Sequence, residues 1–468
     1  MPLILSGNVA SATAGAYSVA NSCRFDGSSS KLVKAQSAGN RDLWTYSVWI
    51  KWSAITTTTT TFFASSDGSN LYAYMGIQSY KIRFLDYSSG NQTNLITNRA
   101  FRDPSAWYHV VLAYDSAQGT DSNRVKLYIN GVQETSFSTE TYPSSGLDSA
   151  VNVDSSNFII SSNQDQLSGS TWNGYMAEAC FIDGQALAPT SFGEFDEDSP
   201  TIWKPINVSG LTFGTNGFYL DFEASDNLGN DANGGTDLTE SGLAATDQTT
   251  DTPTNNFAVL NRLAWTTGSG LTFSEGNLKV ANSASDWRPV ISTIPVTTGK
   301  WYCEIKCTAV GSGGQYGVTP ITDYNDPGDL AYNIGDQART FVYINDGNKE
   351  NNGSAASYGD TYTTNDIIGI AIDLTNNYIY FSKNGTFQAS GDPTSGSSGT
   401  NAAYALTDGY YYGFTFATNA GTGEINFGSP PYANSSDAAD ANGYGAFEYA
   451  PPSGYYALCT KNLAEYGG

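Results

Sequence analysis

DIIGIAIDLTNNYIYFSKNGTFQ, residues 366–388, decides the fold of this chain. Ile368, Ile370 and Ile372 alternate with smaller or polar residues, as a strand with one buried face requires. Tyr378, Ile379, Tyr380 and Phe381 supply a second strand of β-branched and aromatic residues. Asp373 to Asn377 turns the first into the second, and Asn384-Gly385 accepts the positive φ angles of a tight hairpin leading to a third. The alternating isoleucines and Tyr380 are expected in the core. The same pattern stands upstream in WYHVVLAYD (107–115) and VKLYINGVQ (125–133), with Asn130-Gly131 as its turn. Two such meanders predict an all-β chain of two antiparallel β-sandwich domains in series.

Composition agrees. The chain has 468 residues, long enough for two cores, and 13% are aromatic, with 31 Tyr and 22 Phe. Formal charge is −24, from 45 acidic and 21 basic residues. That balance argues against nucleic acid, which demands clustered Lys and Arg to displace counterions. It fits a soluble, self-repelling surface, and it also leaves carboxylates for divalent cations. Cys23, Cys180, Cys303, Cys307 and Cys459 are odd in number, scattered, and set among apolar strand residues, so they read as small buried hydrophobes. With His109 the only histidine and no zinc-type Cys spacing, no transition-metal site can be built. The expectation is synthesis in a reducing cytoplasm, without disulfides. MPLIL has no basic segment before it, and no run approaches the about 18 apolar residues of a membrane-spanning helix, so neither a signal peptide nor membrane insertion is expected.

In chain order, residues 1–20 read as an Ala-, Ser- and Gly-rich arm, either frayed or used for attachment. Residues 21–205 form the first sandwich, 206–262 a connector with an acidic, Gly-rich turn, and 263–468 the second sandwich. The connector reading rests on the polar stretch 225–256, too long for an ordinary loop.

FDGSS, TYSVWIKW, WYHVVLAYD with VKLYINGV, and GYMAEACFIDGQALAPTSFGEF, in this order, resemble the laminin-G/pentraxin type of concanavalin-like sandwich. The resemblance implies a jelly-roll binding module for glycans or proteins, often with calcium at its rim. Asp226, Asp231, Asn233 and Asp237 resemble the oxygen-rich turn at one edge of such domains, so calcium is the one cofactor to test there. No EF-hand register accompanies them, Gly242 standing where a Glu would be needed. Downstream, GKWYCEIKC, DIIGIAIDLTNNYIYFSKNG and GEINFG are similar in order and separation to a SPRY domain, which implies recognition through loops at one end and no catalytic set. VANSCRFDGSSS, AGNRDLWTYSVWIKWS, GYMAEACFIDGQALAPTSFGEFD and TDTPTNNFAVLN together resemble fibre-like virion proteins of tailed bacteriophages, marine ones in particular. That implies a structural protein at the virion surface, on a tail or fibre, which meets other virion proteins and a host-surface glycan or protein. Fibre-like proteins are often homo-oligomers, trimers above all, although no heptad stretch marks one here.

Two enzymatic readings fail on residues. His109 alternates with Trp107 and Val111 on a strand, the setting of a packed histidine. Glu194, Asp196 and Asp198 approach the paired-carboxylate strand of glycan hydrolases, but the final Glu is missing and Pro200 ends the strand. They read as an acidic turn. For binding, aromatic platforms beside amides and carboxylates suit sugars. Trp172 and Tyr175 open the closing segment of the first sandwich, Tyr72, Tyr74 and Tyr80 flank a hairpin, and Tyr410 begins a Tyr run. The loops carrying Asp323, Tyr324, Asp326 and Asp329, and Asp346 to Tyr358, are the expected recognition surface of the second sandwich. The rival to host attachment is a capsid or tail decoration protein, and a glycan hydrolase ranks behind both.

Overall fold

The computed structural model describes residues 17–54, 56–162, 170–264, 270–324 and 333–467. Two compact units divide the chain between Thr254 and Asn255.

In the first unit two eight-stranded sheets face each other. One runs Val132–Gln133, Val125–Ile129, Trp107–Asp115, Leu43–Trp52, Asn173–Asp183, Ser22–Asp26 and Gln248–Thr249, with Phe218–Leu220 also paired to Asn173–Asp183. Its partner runs Phe137–Thr141, Asn91–Thr97, Lys81–Ser88, Leu71–Gln78, Thr60–Ser66, Asn157–Ile160, Lys31–Ala35 and Thr239–Ser241. Period-two alternation sets the layers. Trp44, Tyr46, Val48 and Ile50 point inward and pack on Phe63, Phe84 and Phe158 of the opposite sheet. Their neighbours are not exposed. Trp49 joins Trp107, Tyr175 and Trp203 in a second apolar layer on the outer face, and Lys51 lies fully buried beside Asp251.

The second unit pairs a nine-stranded with a six-stranded sheet. Ile367–Asp373, Tyr378–Lys383 and Thr386–Phe387 form consecutive antiparallel strands, as the sequence predicts. Asn384 and Gly385 take φ of 47° and 79°, and Asn130 and Gly131 repeat the geometry at 50° and 76°. A Cβ on Gly385 would also sit 2.5 Å from Tyr449 Cδ1. Gly385→Ala is therefore expected to cost about 1–2 kcal/mol, read from the midpoint of urea unfolding.

Ile368, Ile370, Ile372, Ile379 and Phe381 enter the inter-sheet core. Tyr380 does not: it faces the other way, into a separate layer with Tyr302, Phe447, Tyr455 and Cys459. The physical reason is parity, since Tyr380 pairs with Ala371 between the isoleucine rows. All five cysteines are buried, free thiols.

Residues 206–262 take part in both units. Phe218–Leu220, Thr239–Ser241 and Gln248–Thr249 add strands to the first. Ala258 donates its N–H to the Leu458 carbonyl (3.0 Å) and Leu260 bridges Ser292 in the second. Of the expected arm, only 17–20 are described. They are tied down, Tyr17 donating to Glu178 Oε2 (3.1 Å) and the Val19 N–H to Thr254 Oγ1 (3.0 Å). Among the described residues no helix is long and apolar enough to cross a membrane.

Candidate functional site

Three loops gather at one end of the six-stranded sheet. Gly313–Pro320 and Tyr412–Asn419 pair so that Pro320 faces Tyr412, and Phe341–Ile344 pairs alongside, with Phe341 opposite Val318. Antiparallel pairing therefore brings the loop after Pro320, the loop before Phe341 and the loop before Tyr412 to the same end. Ile321 N–H bonds the Tyr411 carbonyl at 2.9 Å. Within this cluster Arg339 donates Nε to Asp323 Oδ2 (2.8 Å) and Nη2 to Asp323 Oδ1 (2.6 Å). A two-bond fork of this kind fixes the guanidinium plane. The guanidinium carbon lies over the Tyr410 ring, 4.6 Å from its centroid, and Nη1 donates to Tyr410 Oη at 3.2 Å. Hydrogen bonding to Asp323 holds the guanidinium pKa above its ordinary value. Beside it Tyr411 is 46% exposed, one of three large hydrophobic side chains so exposed among the described residues.

Two expected site residues, Asp323 and Tyr410, are thus joined through a third, Arg339, that sequence reasoning passed over. Tyr324 is buried and donates its hydroxyl to the Pro289 carbonyl (2.8 Å), anchoring the loop. Asp326 and Asp329 lie outside the described residues.

Asp346 and Tyr358 are placed at the opposite end of strand Phe341–Ile344. Asp346 is a turn residue, its carboxylate accepting from Asn348 N and Nδ2, both at 2.9 Å. Tyr358 packs edge-on against Tyr343 and Phe381. Lys349 inserts its ammonium between the Tyr358 and Tyr404 rings, 5.4 and 4.6 Å from their centroids, and donates to the Ala403 carbonyl. Desolvation lowers its pKa.

Comparison with known proteins fits this architecture. A profile of the concanavalin A-like lectin/glucanases superfamily, of laminin-G type, matches residues 25–189, and one of the SPRY domain matches 300–428. The chain joins a concanavalin-like domain to a SPRY domain. Ran-binding protein 9 of Xenopus tropicalis is 31% identical over 126 residues, 25% of this chain. The chain spans 22% of the length of that relative. Among solved structures, the SPRY domain of human HERC1 is 16% identical with a TM-score of 0.25, covering 32% of this chain and 87% of that one. A SAP-like pentraxin from Limulus polyphemus is 16% identical with a TM-score of 0.29, covering 37% and 80%.

In the concanavalin-like domain the expected binding aromatics are interior. Trp172 is completely buried in the core against Phe62, and Tyr175 is buried on the outer layer below Lys51, whose Nζ stands 5.5 Å from its ring centroid. Trp172 lies between the two sheets, and Trp203 and the Lys51–Asp251 pair pack on the outer face that carries Tyr175, so neither ring is open to a ligand.

The acidic turn does not fit calcium. Asp231 is buried and its Oδ2 faces Lys34 Nζ at 3.3 Å, where a second cation would be repelled. Its Oδ1 accepts from Tyr219 N and Asn233 N. Asp237 accepts from Asp231 N and Asn227 Nδ2. Asp226 and Asn233 are exposed. No cluster of three or more His, Cys, Asp or Glu that could hold a metal occurs among the described residues.

Asp196 Oδ1 caps its own turn through the N–H groups of Asp198 and Ser199, while Lys204 bridges Asp196 and Glu194, each at 3.4 Å. His109 is stacked on Trp49 (4.8 Å), accepts from Trp203 Nε1 at Nδ1 (2.9 Å) and meets Ser47 Oγ at Nε2 (2.8 Å). Burial drives its pKa down to about 3. The arrangement cements two tryptophans.

Proposed function

We propose that this chain is a non-enzymatic binding protein of a tailed-bacteriophage virion, and that it engages a host-surface glycan or protein through the SPRY loop cluster around Arg339. The observation that carries the binding role is the preorganised set Asp323, Arg339 and Tyr410 beside exposed Tyr411. A guanidinium held over an aromatic ring by a carboxylate presents a polar and apolar surface, the composition of an interaction hot spot. The presence of two binding-type domains supports the same reading. The virion setting is supported by the likeness of the chain's segments to phage fibre proteins.

Gold-labelled antibody against the SPRY domain, applied to intact particles, tests the placement. Label on the tail or its fibres is the expected result. Label spread over the capsid lattice would replace host attachment by a decoration role.

A further inference from the structure

The six-stranded sheet of the SPRY domain is guarded at one edge and open at the other. Its order begins with Trp287–Ile291 and ends with the hairpin of Asn348–Asn351 and Ser354–Ser357. Trp287–Ile291 carries Arg288 and Pro289, a charge and a missing N–H, which keep a further strand away. Ser354–Ser357 carries neither, and all four of its residues are exposed. The run from Asn351 to Gly359, NNGSAASYG, holds no charged side chain, in a chain of 45 acidic and 21 basic residues.

Parity within the hairpin decides which backbone groups are open. Asn352 and Gly353, at φ of 54° and 66°, form a two-residue turn. Ser354 and Ala356 therefore face Asn351 and Lys349 in the hydrogen-bonded pairs, and the Tyr358 N–H continues the series to the Gly347 carbonyl at 3.1 Å. Ala355 and Ser357 alternate with them, so their N–H and C=O groups point out of the sheet. Among the described residues no donor or acceptor meets these four groups. The hairpin that carries them is pinned at its tip: Asn351 Nδ2 donates to the Ala338 and Thr340 carbonyls, both at 2.9 Å, the Asn352 N–H to Gln337 (3.1 Å) and the Gly353 N–H to Gly335 (3.0 Å). The open groups are thus held ready for a partner strand.

From this geometry we infer that Ser354–Ser357 pairs with the same strand of a second copy of the chain, antiparallel about a two-fold axis through Ala356, and joins the two six-stranded sheets. In that register Ala355 of each chain faces Ser357 of the other, so all the open groups are matched in two hydrogen-bonded pairs. The two Ala356 side chains meet in the wide pair between them, where a methyl group suits a Cα separation of about 4.5 Å. Charge favours a second copy at this place. Chains of −24 repel over most of their surface, whereas here neutral side chains meet neutral side chains. At the ends, the register carries Asp336, whose Oδ1 lies 3.5 Å from where a Cβ on Gly353 would stand, towards Asp360 of the other chain, so salt strengthens the contact by screening. An isologous contact of this kind closes at two chains. The inference concerns assembly and does not depend on the loop cluster.

Analytical ultracentrifugation of the full chain, from about 1 to about 200 μM, tests it. Expected is a mass that climbs with concentration from 49.8 kDa towards twice that value, and climbs sooner at about 0.5 M than at about 0.05 M salt. Ala356→Lys and Ala356→Glu should each weaken association about fivefold or more, and mixing the two variants should restore it, because the axis sets these positions face to face. Under mild oxidant Ala356→Cys should cross-link and Ser354→Cys should not, since the five native thiols are buried and position 356 alone meets itself. A mass of 49.8 kDa throughout, association loosened by salt, no loss in Ala356→Lys, no gain on mixing, or equal cross-linking by both cysteine variants would overturn it. A chain that stays monomeric yet binds host cells through Arg339 fails this inference and leaves the loop reading standing.

Discussion

Asp251→Ala is expected to destabilise the concanavalin-like domain by about 3–5 kcal/mol, the range for removing one partner of a buried ion pair. Asp251 and Lys51 are both fully buried, with Oδ2 and Nζ 2.6 Å apart. Trp107 Nε1 donates to the other carboxylate oxygen at 3.1 Å, and Ser22 Oγ to the Asp251 carbonyl at 2.6 Å. Desolvation lowers the Lys51 pKa, and the charge of Asp251 opposes that shift. Without Asp251 the ammonium must stay charged in an apolar layer or lose its proton, and either outcome is unfavourable. Equilibrium urea unfolding reads the loss directly. The double replacement Lys51→Met with Asp251→Leu should recover most of it, because two apolar groups leave no stranded charge. A single replacement costing under about 1 kcal/mol would show that the pair is not what pins residues 249–254 to the sheet.

Stability should peak near pH 5 and fall as the pH rises towards 8. Burial raises the pKa of Asp86, Glu178 and Glu304 to about 7 in the folded chain. Glu178 sits in a β-bulge with φ of 49°, its Oε2 accepting from Tyr219 Oη at 2.8 Å. Glu304 accepts from the N–H groups of Glu448 and Tyr449. For each, the folded state keeps a proton that the unfolded state releases above its ordinary pKa of about 4. Their contribution is complete below that pKa and is lost as pH rises through 7. His109 works the other way: its contribution is complete above about 6.5 and fades as pH falls towards 3. Three carboxyls outweigh one imidazole, so the slope between about pH 5 and 7 is negative, with each unbalanced proton worth about 1.4 kcal/mol per pH unit. Below about pH 4 the sign reverses, because hydrogen-bonded carboxylates with lowered pKa, Asp26 foremost, must be protonated. Unfolding midpoints across pH 3–9 check the curve. Glu304→Gln should flatten its alkaline limb, and an unchanged limb would remove Glu304 from the account.

The strands were legible in sequence wherever alternation ran for five residues or more and Asn-Gly closed the hairpin. What covers the sheets was not. Lys51 alternates with core residues as a solvent-facing lysine would, yet its partner Asp251 lies 200 positions away. Trp49 and Tyr380 occupy second layers that only the fold creates. Residues 206–262 read as a connector because the strands they contribute to the first sandwich are two or three residues long, too short for any period to register. The site was half legible: Asp323 and Tyr410 were candidates, but Arg339 was not, since its fork and stack depend on three loops meeting.

Recognition through the SPRY loop cluster is tested most directly by binding of the fluorescently labelled full chain to cells of the host that the parent particle infects, with Arg339→Ala/Tyr411→Ala alongside. Losing a partly exposed ion pair and an exposed ring costs the fold about 1 kcal/mol or less, so the variant should unfold at nearly the same denaturant concentration. Saturable binding by the unaltered chain, weakened about tenfold or more in the variant, is the predicted result. Binding no greater than that of an unrelated control protein, or equal binding by chain and variant, would contradict it.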